Sequence, residues 1–503
     1  MYIDDVLLMV GNNAGNVAQI ACSGNTTWFV TKSGELYGCG YGVYGQQGNG
    51  GGNVFTFTKR ADNVAQIACS DNTTWYLTNS GELYGCGYGD YGQQGSGSYD
   101  NVNTFTKRAD DVAQVACSIN TSWYLTNSGR LYGCGKGDSC QQGDGERGWV
   151  KIFTRHPYYN VAQIACSDIT TWFVTKSGEL YGCGDGYYGQ QGNGSTSNTR
   201  YFDKRADNVA QLACSEYTTW YITNSGELYG CGRGDNGQQG NGSTSNVTSF
   251  TKRADNVAQI ACIACSDNTT WYLTKTGELY GCGLNKSGQL GSGPTSKVTS
   301  FNKRANNVAQ VACSDNTTWY VSKSAGSSIS AGLYGCGHGG YGQQGNGSTA
   351  KAYSFIMRAD NVAQVACSDN TTWYVSKSGE LYGCGNGEHG QQGNGSASNV
   401  TRFTKRADNV AQVACSDYTT WFLTKSGELY GCGYGDRGTQ GNGSTAKVTT
   451  FTKRADNVGQ IACSDYTTWY LTNSGGLYGC GYGDYGQQGS GSASNVTTFT
   501  KRP

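Results

Sequence analysis

One word of sequence constrains this chain more than any other: Ala-Cys-Ser, followed 17 residues later by the cysteine of Leu-Tyr-Gly-Cys-Gly. It recurs ten times, at Cys22, Cys69, Cys117, Cys166, Cys214, Cys265, Cys313, Cys367, Cys415 and Cys463. Its partners are Cys39, Cys86, Cys134, Cys183, Cys231, Cys282, Cys336, Cys384, Cys432 and Cys480, with one longer interval before Cys336. Self-similarity with a period near 48 residues indicates a stack of supersecondary units, none able to bury its own apolar face. The second copy shows the unit. Val64 to Cys69, Thr74 to Thr78, Leu83 to Cys86 and Thr104 to Arg108 are short runs of β-branched, aromatic and small residues. Turn words separate them: Ser70-Asp71-Asn72-Thr73, Asn79-Ser80-Gly81-Glu82 and the Gly-Gln-Gln-Gly loop at 92–95. No apolar period of 3.6 competes. Four strands per repeat point to propeller blades.

The fold class expected is therefore all-β: a β-propeller of ten four-stranded blades. Residues 1–15 form a divergent segment, and residues 16–503 the ten-repeat domain. The chain opens this domain on a first-type strand and closes on Thr498 to Arg502, a fourth-type strand. That phase suggests one closed ring in which the C-terminal strand completes the first blade, hiding its edge. An open superhelical array and a smaller ring with extra repeats stacked beside it are the rivals.

Composition closes off several functional classes. Lys+Arg and Asp+Glu are 36 each, so the net charge is zero and no basic nucleic-acid surface shows in bulk charge. Gly at 78 and Tyr at 36 argue against disorder, and Pro at 3 against collagen. No apolar run reaches the length of a membrane span. Asp4 and Asp5 stand where a signal peptide would be positive. A cytoplasmic protein is expected, a virion or cell-surface location being the alternative, with no membrane insertion and no nucleic acid bound.

The segment Leu279-Tyr-Gly-Cys-Gly-Leu-Asn-Lys-Ser-Gly-Gln-Leu-Gly-Ser-Gly293 resembles the signature of the regulator-of-chromosome-condensation repeat family, and the resemblance covers essentially residues 16–502. Two departures stand out. Most copies read Gly-Gln-Gln-Gly where the family prefers Gly-Gln-Leu-Gly, and Thr73-Thr74-Trp75 replaces the histidine often found before the second strand. The wording of residues 57–64 is similar to bacterial and phage-encoded members. The resemblance implies a propeller, commonly of seven blades. It also implies a spread of roles: guanine-nucleotide exchange factors that touch chromatin, inhibitors that plug an active site, and binding scaffolds. No catalytic loop matches closely enough to carry residues across, and fold alone does not fix function.

Chemistry-bearing residues each have a plainer reading. The C-x₁₆-C spacing is not that of a zinc knuckle, and Cys262 with Cys265 is one isolated pair made by a tandem Ile-Ala-Cys. If Ser80-Gly81 and Asp71-Asn72 are both two-residue hairpin loops, Cys69 and Cys86 point to opposite faces and cannot bond. Small buried hydrophobe is then the expected role of these cysteines, inter-blade bridges remaining open. Trp28, Trp75 and their eight counterparts fit inter-blade packing. His156, His338 and His389 fall in separate repeats, so no triad or metal set assembles. Gly85-Cys-Gly-Tyr-Gly89 lacks the helix that a phosphate loop needs. Arg233-Gly234-Asp235 is read as a chance tripeptide, and Asn-Thr-Thr words as turn formers. No catalytic residue, metal or cofactor is implied.

What varies among the copies is the four-residue step after Leu-Tyr-Gly-Cys-Gly. Its Tyr, Asp, Arg and His content resembles that of a paratope. The candidate binding residues are Tyr41, Tyr44, Tyr88, Asp90, Tyr91, Lys136, Tyr187, Tyr188, Arg233, His338, Tyr341, His389, Tyr434, Arg437, Tyr482 and Tyr485, with Trp149 from an irregular stretch between Ser139 and Tyr159. Equivalent positions in a propeller share a height, so these loops should lie on one face. A binding scaffold for a protein partner, or for a glycan, is the function expected. A GTPase exchange factor and a structural virion or surface component are the alternatives. The lengthened hairpin at Ala325 to Ala331 is a further candidate contact.

Overall fold

A computed structural model describes residues 9–10, 17–23, 25–260, 268–314, 316–324 and 331–502. Ten antiparallel sheets follow one another along the chain. The first contains β1 (Met9–Val10), β2 (Val17–Ser23), β3 (Thr26–Thr31), β4 (Leu36–Gly40) and β5 (Val54–Ala61). The second contains β6 (Val64–Cys69), β7 (Thr73–Thr78), β8 (Leu83–Gly87) and β9 (Val102–Ala109). The pattern holds to the tenth, Val458–Cys463, Thr467–Thr472, Leu477–Gly481 and Val496–Lys501. The fold is a ten-bladed propeller. First strands of successive blades surround a central channel, part of which is a 480 Å³ cavity lined by residues such as Ala21, Gln66, Ala116 and Cys166.

Packing explains the invariant words. Trp75 pairs across the ladder with Gly85, and a Cβ on Gly85 would sit 2.3 Å from the indole. Leu-Tyr-Gly-Cys-Gly therefore needs its first glycine because the Trp ring covers it. That ring reaches the next blade and meets Phe153 edge-on at 5.6 Å. Phe153 in turn touches Tyr124, which stacks on its cross-strand partner Tyr132 at 4.7 Å. Each core cluster thus straddles two blades, as with Trp75, Leu77 and Leu83 against Val112, Val115 and Tyr124. The ten Trp of this motif are at most 2% exposed, which settles their role as inter-blade core.

The buried thiols mark the same seams. Cys86 donates to the Gln46 carbonyl of the preceding blade at 3.4 Å, and Cys134 to that of Gln93. The last link is Cys39 to Gln487, across the chain ends. There too Phe57 meets Trp469 at 6.1 Å, and Val17, Ile20 and Phe29 share one cluster with Ala462, Leu471 and Leu477. The isolated bridge Thr56 to Ser490 repeats the Asn49 to Thr104 bridge of an interior seam. The ring is closed, but not by strand exchange. The C-terminal strand pairs with its own blade, Tyr478 opposite Lys501, and blade 1 already owns β5 as its fourth strand. With ten whole blades in phase, one more ordinary seam suffices.

One register differs from the sequence expectation. Leu77 pairs with Leu83 and Thr74 with Cys86, while Cys69 pairs with Thr74 as expected. The hairpin loop holds three residues, 79–81, with Gly81 left-handed at φ 82°, an arrangement that suits a bulged three-residue turn. The extra residue moves Cys86 to the same face as Cys69. They still do not bond to each other, because Thr74 stands between them in the sheet. Cys313 is disulfide-bonded. Cys140 occupies the left-handed position (φ 65°) held by glycine in other blades, such as Gly92, and is buried. Cys262, Cys265 and residues 325–330 lie outside the described residues.

The two faces of the ring differ. On the hairpin face Lys59 bridges Glu35 and Asp62, both at 2.6 Å, and Lys107 does the same with Glu82 and Asp110. The opposite face carries the first turn of each blade and the variable loop.

Candidate functional site: an aromatic arc on the loop face

The variable loop has a positional logic. Its second residue is glycine in most blades because the loop's return path runs against it: a Cβ on Gly89 would lie 2.0 Å from the Asp100 carbonyl. Its first and third residues clasp each other. Tyr88 donates to Asp90 and Tyr434 to Asp436, both at 2.8 Å, and Arg233 binds Asp235 at 2.7 Å. The bond to Asp90 pushes the Tyr88 phenol up to about 12. The Arg233 guanidinium is likewise raised by its bond to Asp235. The Arg-Gly-Asp word is therefore closed upon itself.

The fourth residue reaches over the seam to the next blade. Tyr44 meets Tyr88 at 5.1 Å, Tyr91 meets Trp149 at 5.0 Å, and Tyr485 meets Tyr41 at 5.3 Å. His389 lies 5.2 Å from both Tyr418 and Tyr434. Arg437 sits over Tyr466 and Tyr482 at 4.6 and 4.3 Å. Where the neighbour is polar the link is a hydrogen bond, as from Asn236 to Asn268 at 2.7 Å. These side chains are half-buried, and much of their contact is with one another.

Together they form an unbroken aromatic arc. It runs from His389 through Tyr418, Tyr434, Tyr466, Tyr482, Tyr485, Tyr41, Tyr44, Tyr88 and Tyr91 to Trp149 and Tyr99, over blades 8, 9, 10, 1, 2 and 3. Trp149 is 41% exposed and fixed by its indole N–H to Asp138 at 2.7 Å. Lys136 lies over Tyr91 at 5.2 Å. The other candidates stand apart. Tyr187, Tyr188 and Arg233 form a shorter cluster with Tyr217, and His338 contacts the Tyr341 ring at 6.1 Å and bonds the Gln343 amide at 2.7 Å.

Tyr99, Tyr217, Tyr418 and Tyr466 belong to these clusters and escaped the reading of the loops. Three of them occupy the place before Thr-Thr-Trp, where most copies carry Asn. That substitution was a visible signal. Its meaning depended on knowing that the first turn and the variable loop share a face, as the bond from Tyr434 N–H to the Tyr418 carbonyl shows.

Comparison with known proteins places this geometry. The family model of the RCC1-like domain matches residues 5–301, more than half of the chain. The chain belongs to the RCC1 repeat family. The repeat model itself matches residues 362–391 and 410–439. No curated protein matches. Similar solved structures include human WBSCR16, at 18% identity over 78% of this chain and 100% of that one, with a TM-score of 0.42. Another is Prp20p of Saccharomyces cerevisiae, reported with its binding to Gsp1p and histones, at 18% identity, 68% and 91% coverage and a TM-score of 0.38. In family terms, blade 6 keeps the Asn-Lys-Ser-Gly-Gln-Leu-Gly form. Asn285 is buried and bonds around its loop, and Leu290 is fully buried in the core. Elsewhere the second glutamine takes the leucine's place and donates instead to a strand carbonyl, as from Gln94 to Cys86 at 2.9 Å.

Proposed function

We propose that the protein is a non-enzymatic binding scaffold whose partner, a protein, lies along the aromatic arc of the loop face. The observation that carries this is the continuity of ring contacts from His389 to Tyr99. Aromatic side chains offer a large contact area at little conformational cost, and they dominate binding hot spots. The arc ends on Tyr99 and Trp149, both exposed. The test is capture on the immobilised protein, comparing the native chain with Tyr88→Ser/Tyr91→Ser/Tyr482→Ser/Tyr485→Ser. Partners retained by the first and lost by the second support the reading. Retention of every partner by the quadruple variant overturns it, and loss of a glycan alone would make the ligand a saccharide.

A further inference from the structure

Three cations on the loop face lie over rings of the arc. Arg437 lies over Tyr466 and Tyr482, Lys136 over Tyr91, and Lys151 over Tyr99 at 5.6 Å. In the shorter cluster Arg233 lies over Tyr188 and Tyr217, 5.5 Å from each. An aromatic face attracts a cation through its quadrupole, and desolvation strengthens the attraction. Between Arg437 and Lys136 the pattern stops. Among the described residues no cation lies over Tyr485, Tyr41, Tyr44 or Tyr88, which follow one another at 5.3, 5.8 and 5.1 Å.

The charge around this stretch is one-sided. In blades 10, 1 and 2 the first turns (464–466, 23–25, 70–72) and variable loops (482–495, 41–53, 88–101) contain Asp465, Asp484, Asp71, Asp90 and Asp100, and no Lys or Arg. The lysines of blades 1 and 2 in Thr-Lys-Arg, Lys59 and Lys107, are held on the opposite face by Glu35, Asp62, Glu82 and Asp110. A neutral chain thus places carboxylates, and no Lys or Arg, in the turns and loops that carry this stretch of four rings.

Resting on the reading of the arc as the binding surface, we infer that this stretch takes an extended basic segment of a partner protein, its Arg or Lys side chains lying on Tyr485, Tyr41, Tyr44 and Tyr88 as Arg437 lies on Tyr466 and Tyr482. The dimensions agree. Steps of 5.1–5.8 Å between rings approach the spacing of alternate side chains on an extended strand, about 6.5–7 Å. A basic residue at every second position would bring one cation to each ring, with the Asp side chains flanking the row. Arg suits these sites better than Lys because its planar guanidinium stacks.

The test uses the full chain and a fluorescent peptide alternating Arg with Ser, against the same peptide with citrulline for Arg, read by anisotropy. The Arg peptide binds and the citrulline peptide binds far more weakly. Tyr44→Leu with Tyr88→Leu weakens binding by roughly two- to five-fold per ring, while Tyr44→Phe with Tyr88→Phe, which keeps the aromatic face, retains it. Asp90→Asn with Asp484→Asn weakens it, and Asp62→Asn with Asp110→Asn, the same charge removed from the opposite face, does not. Thermal melts of each variant separate lost binding from lost fold. Equal binding of the citrulline peptide, or equal effects of the two Asp pairs, overturns the basic-segment inference. If the citrulline peptide still depends on Tyr44 and Tyr88, the arc remains a ligand surface and only its charge preference falls. If folded Leu variants bind every probe as the native chain does, the arc reading falls as well.

Discussion

Phe57→Ala tests ring closure directly. Phe57 is 6% exposed, lies 5.1 Å from Phe29 in its own blade and 6.1 Å from Trp469 in the last. Truncating a buried Phe to Ala costs about 3–5 kcal/mol, through lost transfer energy and the cavity left behind. At about 2.1 cal/mol/K per residue, a cooperative unit of 503 residues has an unfolding entropy near 1 kcal/mol/K, so Tm should fall by about 3–5 °C. The control is Phe105→Ala, whose ring plays the same part between Trp28 at 5.7 Å and Tyr76 at 4.9 Å in an interior seam. A closed ring makes the two losses equal. An open array leaves Phe57 at a free end, where truncation costs little. Calorimetry of both variants, with solution scattering for ring dimensions, decides. A Phe57→Ala protein melting with the native one while Phe105→Ala melts several degrees lower would refute closure by an ordinary seam.

Other outcomes follow from the same contacts. Gly85→Ala drives a methyl into Trp75 and should cost about 1–3 kcal/mol by chemical denaturation. His156, buried against Trp123 and Phe202, has its titration lowered by burial from its ordinary 6.5 to about 4. Its neutral form is the one the fold prefers, so its contribution is present above pH 6.5 and lost as the unfolded chain protonates between 6.5 and 4. The loss is about 3 kcal/mol, and the difference in stability between the native chain and His156→Gln across that window should show it. The Cys86 and Cys134 thiols, fully buried and pushed well up by desolvation, should resist alkylation at pH 8 until denaturant is added, as followed by mass spectrometry. Arg437→Ala should leave Tyr466 and Tyr482 without the guanidinium between them at a small cost, about 1 kcal/mol, read by thermal melts.

The sequence by itself determined the unit, its strand count and its repetition. Four β-rich words separated by turn residues leave no other element to build, and ten in-phase copies make ten whole blades. It also determined that Trp75 and its counterparts are core, since a large ring fixed in every copy serves a repeated contact. It placed Tyr44, Tyr88 and Tyr485 in variable loops of one kind, and so on one face. What it left undecided depended on distances between residues far apart in the chain. Whether the ring closes turned on the meeting of Phe57 with Trp469 and Cys39 with Gln487, contacts no local pattern encodes. The side of the strand on which Cys86 lies turned on a single loop residue, because side chains alternate with period two. The joining of some variable loops into an arc, while Tyr341 stands aside, was decided only when curvature brought each loop's fourth residue over the next blade's first turn. There the neighbour is Tyr418 in one seam and Asn268 in another, and only an aromatic neighbour can extend a row of rings.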